Sequence, residues 1–145
     1  MRITFPRLPD HERAWALVER DDGVVYRLYG GTAGPRLPHD IMHLVVEREL
    51  RIKDGIWAGI AAGEPSHSPG QRAELLADLV SSAATLDTMT LDKVKRLTAD
   101  KLSALPDTDV DPVVIAAAAR SLQVEAARWA RLRVGEELSY DWPGR

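Results

Sequence analysis

Apolar and polar residues alternate with a period of two along AWALVERDDGVVYRLYGG, residues 14–31, and the alternation breaks at Asp22-Gly23. Successive side chains of a strand point to opposite faces, so a period of two marks a half-buried strand. Asp-Gly supplies the positive φ of a tight turn, and the stretch predicts a β-hairpin. Trp15, Leu17 and Glu19 share one face of the first arm. On the return, Val25, Arg27 and Tyr29 alternate with Val24, Tyr26 and Leu28. Arg2–Phe5 predicts another short strand, and Pro6 assigns it to a sheet edge, because proline cannot donate to a ladder. GGTAGPRLP, residues 30–38, predicts a turn-rich bridge.

The period changes at Pro38. In PHDIMHLVVEREL, residues 38–50, apolar positions recur at helical spacing. Pro38 suits the first position of a helix, where its missing N–H costs nothing, so a helix is predicted from Pro38 to about Leu50. Asp54 stands where it can cap a short second helix, IWAGIAA, which Gly63 would end. EPSHSPG reads as a loop, and Ser68 to Gln71 has the S-x-x-Q spacing of a capping box opening a helix from about Pro69 to Leu86. Thr90 is set to cap a fourth helix, with Leu91, Val94, Leu97, Leu102 and Leu105 on its apolar face and Leu105-Pro106 as its stop. Asp111-Pro112 joins a capping side chain to a proline fitted to the first turn. It predicts a last helix to about Leu132, with Val114, Ala118, Leu122, Ala126 and Trp129 on one stripe. LSYDWP, residues 138–143, predicts a strand returning to the N-terminal sheet.

Strands and helices are segregated, which predicts an α+β fold: a small N-terminal antiparallel sheet packed on a bundle of four to five helices. A chain of 145 residues suits one domain with one core. Residues 1–36 are its β-rich part, 37–134 its helical part and 135–145 the returning strand. A net charge of -3 argues against a nucleic-acid binder that works by neutralising phosphates. The one basic run, Lys93 to Arg96, is flanked by Asp87, Asp92 and Asp100 and reads as a solvated helix face. No window approaches the roughly 20 apolar residues of a membrane span, and no signal core is visible, so the expected compartment is the cytoplasm.

The chain has no cysteine, which excludes disulfides, thiolate nucleophiles and cysteine-held metals. Any metal must be held by His, Asp or Glu. Residues 38 to 50, set at about 100° per residue, separate into two sectors. Ile41, Met42, Val45 and Val46 share one sector, which Leu44 extends; His39, Asp40, His43 and Glu47 share the other. A helix this apolar is a buried one, so its polar stripe is expected to face an interior cleft rather than solvent. Two histidines at i and i+4 can bind one metal, because their rings converge over a single turn. Zinc-peptidase helices have the same spacing but place Glu, as general base, after the first His. Here that residue is Asp40, one methylene shorter, which could orient a ligand ring or move a proton.

Glu47 is an unsuitable third ligand, because eight residues of helix separate it from His39, about 12 Å of rise. It remains a candidate for proton transfer alongside Asp40. The third ligand is expected from elsewhere: Asp54, His67, Asp87, Glu136 and Glu137 are the candidates.

HDxxH, carried by His39, Asp40 and His43, resembles the zinc motif of the Coq4-type ubiquinone-biosynthesis family, in which a Glu follows the second His after eleven residues. The position that this likeness assigns to Glu holds Gly55, and Asp54 stands one place before it, so the resemblance implies Asp54 ahead of the other candidates as third ligand. PHDIMHLVVEREL, then DGIWAGIAAG and a late VGEEL…WP, is similar over most of the chain to a group of small bacterial proteins with a PHDxxHxxxE-x-E-L pattern. That likeness implies no activity.

The expectation is a mononuclear site on His39, His43 and Asp54. Zinc is the first choice, with Fe(II), Mn or Ni suiting the same donors, and the site would serve hydrolytic or lyase chemistry on a small molecule. The alternative is a non-catalytic interaction or regulatory module with structural histidines. Its Pro112–Leu132 helix, with Ala116, Ala117, Ala118, Ala119 and Ala126, would pair with a partner or a second copy in a homo-oligomer. The serines lack nucleophile-elbow spacing. Gly30-Gly31-Thr32-Ala33-Gly34 lacks the ending of a phosphate loop and reads as a turn. The four tryptophans are expected in packing roles.

Overall fold

In the computed structural model, which describes residues 1–64, 68–105 and 107–143, the chain opens on strand β1 (Arg2–Pro6). The hairpin follows as β2 (Arg13–Glu19) and β3 (Val25–Thr32). Gly23 turns it at φ +85°, and the Asp22 carboxylate accepts the Val24 N–H at 3.3 Å. Five helices come next: α1 (His39–Leu50), α2 (Ile56–Ala61), α3 (Gln71–Ala84), α4 (Leu91–Leu102) and α5 (Pro112–Ala130). The tail returns as β4 (Glu137–Asp141) and completes an antiparallel sheet of order β3-β2-β1-β4. The fold is α+β.

Contrary to the reading of Pro6 as an edge marker, β1 lies inside the sheet. Its ladder with β2 ends at Thr4 opposite Leu17, two residues before Pro6, so proline interrupts no pairing on that side. β3 also runs further than its glycines suggest, taking in Gly30, Gly31 and Thr32, which were expected to turn. Ile3, Phe5, Ala16, Val18, Leu138 and Tyr140 form the buried face of the sheet. On the opposite face, Arg27 covers the Trp15 ring at 4.1 Å and Arg13 covers Tyr29 at 4.6 Å.

Helix starts follow their caps unevenly. Thr90 accepts from Lys93 N–H and Asp111 from Val113 N–H, as expected of both. Pro38 is the residue before α1 rather than its first. Gly70 precedes α3 without a side-chain cap, so Ser68 does not form the expected box. Gly63, at φ +113°, follows α2 as expected. The Lys93–Arg96 run is an exposed face around buried Val94. Pro106, the expected stop of α4, lies outside the described residues.

α1 and α5 form the centre of the core. α1 touches α2, α3, α5 and β3, and α5 packs on α1, α3 and α4. The buried stripe of α5 is Ile115, Ala118, Ala119, Leu122 and Trp129, while Val114 is turned outward. Glu125 is buried on that stripe, and it accepts from the Tyr140 hydroxyl at 2.5 Å and, with both carboxylate oxygens, from Nη1 of Arg128 at 2.8 and 3.0 Å. This network ties the returning strand to α5. None of the described helices is long and apolar enough to cross a membrane.

Burial, with the bond to Glu125 second, pushes the Tyr140 phenol well above its ordinary value. Its proton is bound more tightly in the fold than in the unfolded chain. The resulting stability is therefore intact below pH about 10 and falls as pH rises past it. Tyr140→Phe is expected to cost about 1–3 kcal/mol at pH 8, because Glu125 loses a donor. It should also remove part of the alkaline fall, which urea denaturation at pH 8 and 10.5 checks.

Candidate functional site

The polar stripe of α1 runs from the surface into the core. His39 is exposed and Asp40 half-buried, but His43 and Glu47 retain 0% and 1% of their exposure. Burying an imidazole and a carboxylate is unfavourable unless each finds a partner.

Glu47 finds its partner in α2. Its Oε2 accepts the backbone N–H of Trp57 at 3.0 Å, and that N–H belongs to the first turn of α2. The expected cap, Asp54, does not perform this role: the residue before α2 is Gly55, with no capping side chain of its own. Gly55 is required by contact. A Cβ there would lie 1.6 Å from Glu47 Oε1, so the carboxylate occupies the space of the missing side chain. Trp57 is fully buried, and its indole N–H donates to the Asp40 carbonyl at 3.0 Å. Two hydrogen bonds from one residue thus pin α2 along two turns of α1.

His43 faces α3. Its Nε2 lies 3.6 Å from Oε1 of Glu74, a half-exposed carboxylate in the first turn of α3. Neither ring nitrogen of His43 has a hydrogen-bond partner. Burial holds the His43 imidazole below its ordinary pKa, His39 adds to this, and Glu74 opposes it. The His39 ring stands edge-on to His43, with centroids 4.5 Å apart.

Asp40 faces the sheet instead. Its Oδ2 lies 3.1 Å from the place a Cβ on Gly30 would take. Burial raises the Asp40 pKa, and nearby His39 partly offsets this. His39 and Asp40 line one end of a cavity of about 330 Å³, walled by Phe5, Pro6, Trp15, Leu37 and Trp129. A β-bulge between Arg13 and Trp15 lies on the same wall, where such irregularities re-aim side chains.

The third-ligand candidates are scattered. The Asp54 carbonyl accepts the Gly70 N–H at 3.0 Å, and its carboxylate lies against the same glycine. Asp87 follows the far end of α3. Glu136 accepts from the Arg133 N–H, and Glu137 pairs with Pro6 in the sheet. His67 lies outside the described residues. Among the described residues, no group of three or more His, Asp or Glu side chains is placed where it could hold a metal ion. Glu74 was missed in the sequence because an acid early in a helix ordinarily signals only the helix dipole. Nothing local marks it as a neighbour of a histidine 31 positions earlier.

The chain matches no family model, no curated protein and no solved structure.

Gly55→Ala is expected to destabilise the fold by about 3 kcal/mol or more, since Glu47 cannot move without releasing Trp57. Gly31→Ala, with open space around its Cβ position, serves as the control. Thermal unfolding of both variants checks the contrast.

Proposed function

We propose that His39, His43 and Glu74, by turning their side chains from the positions they take in this structure, hold one divalent metal ion beside the cavity, and that the protein is a metal-dependent enzyme acting on a small molecule. The His43–Glu74 pair supports this reading most strongly. Its 3.6 Å separation is too long for a hydrogen bond. It is close to the spacing of about 3.4 Å between two ligands of a tetrahedral zinc with bonds of about 2.0–2.1 Å. A buried imidazole without hydrogen bonds calls for a partner, and ligation supplies one. His39, one turn away, offers the third donor from the exposed side.

Zinc suits two imidazoles and a carboxylate, and Fe(II), Mn or Ni take the same donors. Such an ion, when bound, supplies Lewis acidity to a carbonyl or activates water, as hydrolytic and lyase reactions require. Asp40, turned to the cavity, would hold or move a proton on the small molecule. Trp57 is a positioning residue, fixing the α1 backbone at Asp40. Glu47 is engaged with α2, and a proton-transfer role would require it to leave that bond.

The interaction-module alternative draws less support. Of its five alanines, Ala116, Ala118 and Ala119 are buried in the chain's own core, so the small-residue stripe is already used.

Protein purified without an affinity tag and loaded with zinc is expected to retain about one ion per chain by elemental analysis. Glu74→Gln should weaken retention by at least about tenfold, and His43→Ala should abolish it. Zinc-free wild type after loading, or equal retention in both variants, would overturn the proposal.

A further inference from the structure

The cavity at the head of α1 has an unmet electrostatic demand. Asp40 sends its carboxylate toward Gly30, where the missing side chain leaves room for it. The residue is half-buried, and no hydrogen-bond donor among the described residues reaches that carboxylate. The other walls are rings and aliphatic groups, chiefly Phe5, Trp15, Leu37 and Trp129. Arg36 also lines the space, as an exposed residue. His39 beside Asp40 offsets part of the cost of burying it, and the carboxylate can take a further cation from the cavity side.

We infer that the cavity takes a small, mainly apolar amine, with its ammonium on the Asp40 carboxylate and its body against the apolar wall that includes Phe5, Leu37 and Trp129. Three features of the site agree with this occupant. A volume of about 330 Å³ holds a molecule the size of a substituted aromatic ring. An ammonium beside a half-desolvated carboxylate makes a charge-assisted hydrogen bond, about twice as strong as a neutral one. Aromatic faces accept a cation that is partly stripped of water. His39 lines the same end of the cavity, so the polar end of the molecule lies beside His39 as well. The inference deepens the metal-enzyme reading by naming the substrate class of the same site, but binding of the amine does not need the metal.

Trp15 and Trp129 line the cavity, so tryptophan fluorescence reports occupancy. The probes are 2-phenylethylamine, 2-phenylethanol and phenylacetate, titrated into zinc-loaded and into chelator-treated protein. The amine is expected to bind about tenfold tighter than the alcohol in both forms, with the acid weakest. Asp40→Asn should reduce that preference to about twofold or less while leaving the melting temperature within a few degrees of wild type. Asp54→Asn, at an exposed carboxylate, should leave it unchanged. Equal binding of the three probes, tighter binding of phenylacetate through Arg36, or an unchanged preference in Asp40→Asn would overturn the inference. Loss of zinc from wild type with the amine preference intact would defeat the metal reading alone. Retained zinc with no amine preference would defeat this inference alone.

Discussion

The middle of α1 carries an imidazole and a carboxylate out of reach of water, and the neighbouring elements are arranged by what those two groups require. Glu47 takes a backbone N–H of α2, which sets Gly55 as the only residue the junction can hold and brings Trp57 into the core. Trp57 in turn holds the first turn of α1 through Asp40 and meets Phe5 of the sheet edge-on at 6.0 Å. A single buried carboxylate thus links α1, α2 and β1. Removing one partner of such a group costs far more than the bond itself contributes, because the charge stays buried.

Within that frame the two histidines have different environments despite their shared face. His39 is exposed beside the cavity, whereas His43 is sealed between α1 and α3 with Glu74 as its nearest acid. Asp40 diverges from both toward Gly30. One helix end therefore presents a donor cluster to one side and a lone carboxylate to the other, with His39 between them. This separation is what the proposed function needs: donors for a metal on one side and a carboxylate for the polar end of a substrate on the other.

Much of the architecture was legible in the chain. The period-two alternation around Asp22-Gly23, the Thr90 and Asp111 caps and the returning LSYDWP strand each depend on local chemistry, and each formed as the residues imply. Features set by distant contacts were not legible. Pro6 looks like an edge marker because its effect depends on where the β1–β2 ladder stops. Asp54 looks like a cap because nothing nearby in sequence shows Glu47 already at that N–H. The Gly30–Thr32 stretch looks like a turn because pairing with β2 overrides the weak strand preference of glycine. The site followed the same division: the His39–His43 pair is local and visible, while Glu74 meets it only through the packing of α3 on α1.

The most direct test of the metal site is a crystal structure of the zinc-loaded protein with anomalous data collected at the zinc edge. A strong anomalous peak within about 2.3 Å of His39, His43 and Glu74 donor atoms is the predicted result. No peak at that point, with the His43 nitrogens hydrogen-bonded to water or protein instead, would contradict it.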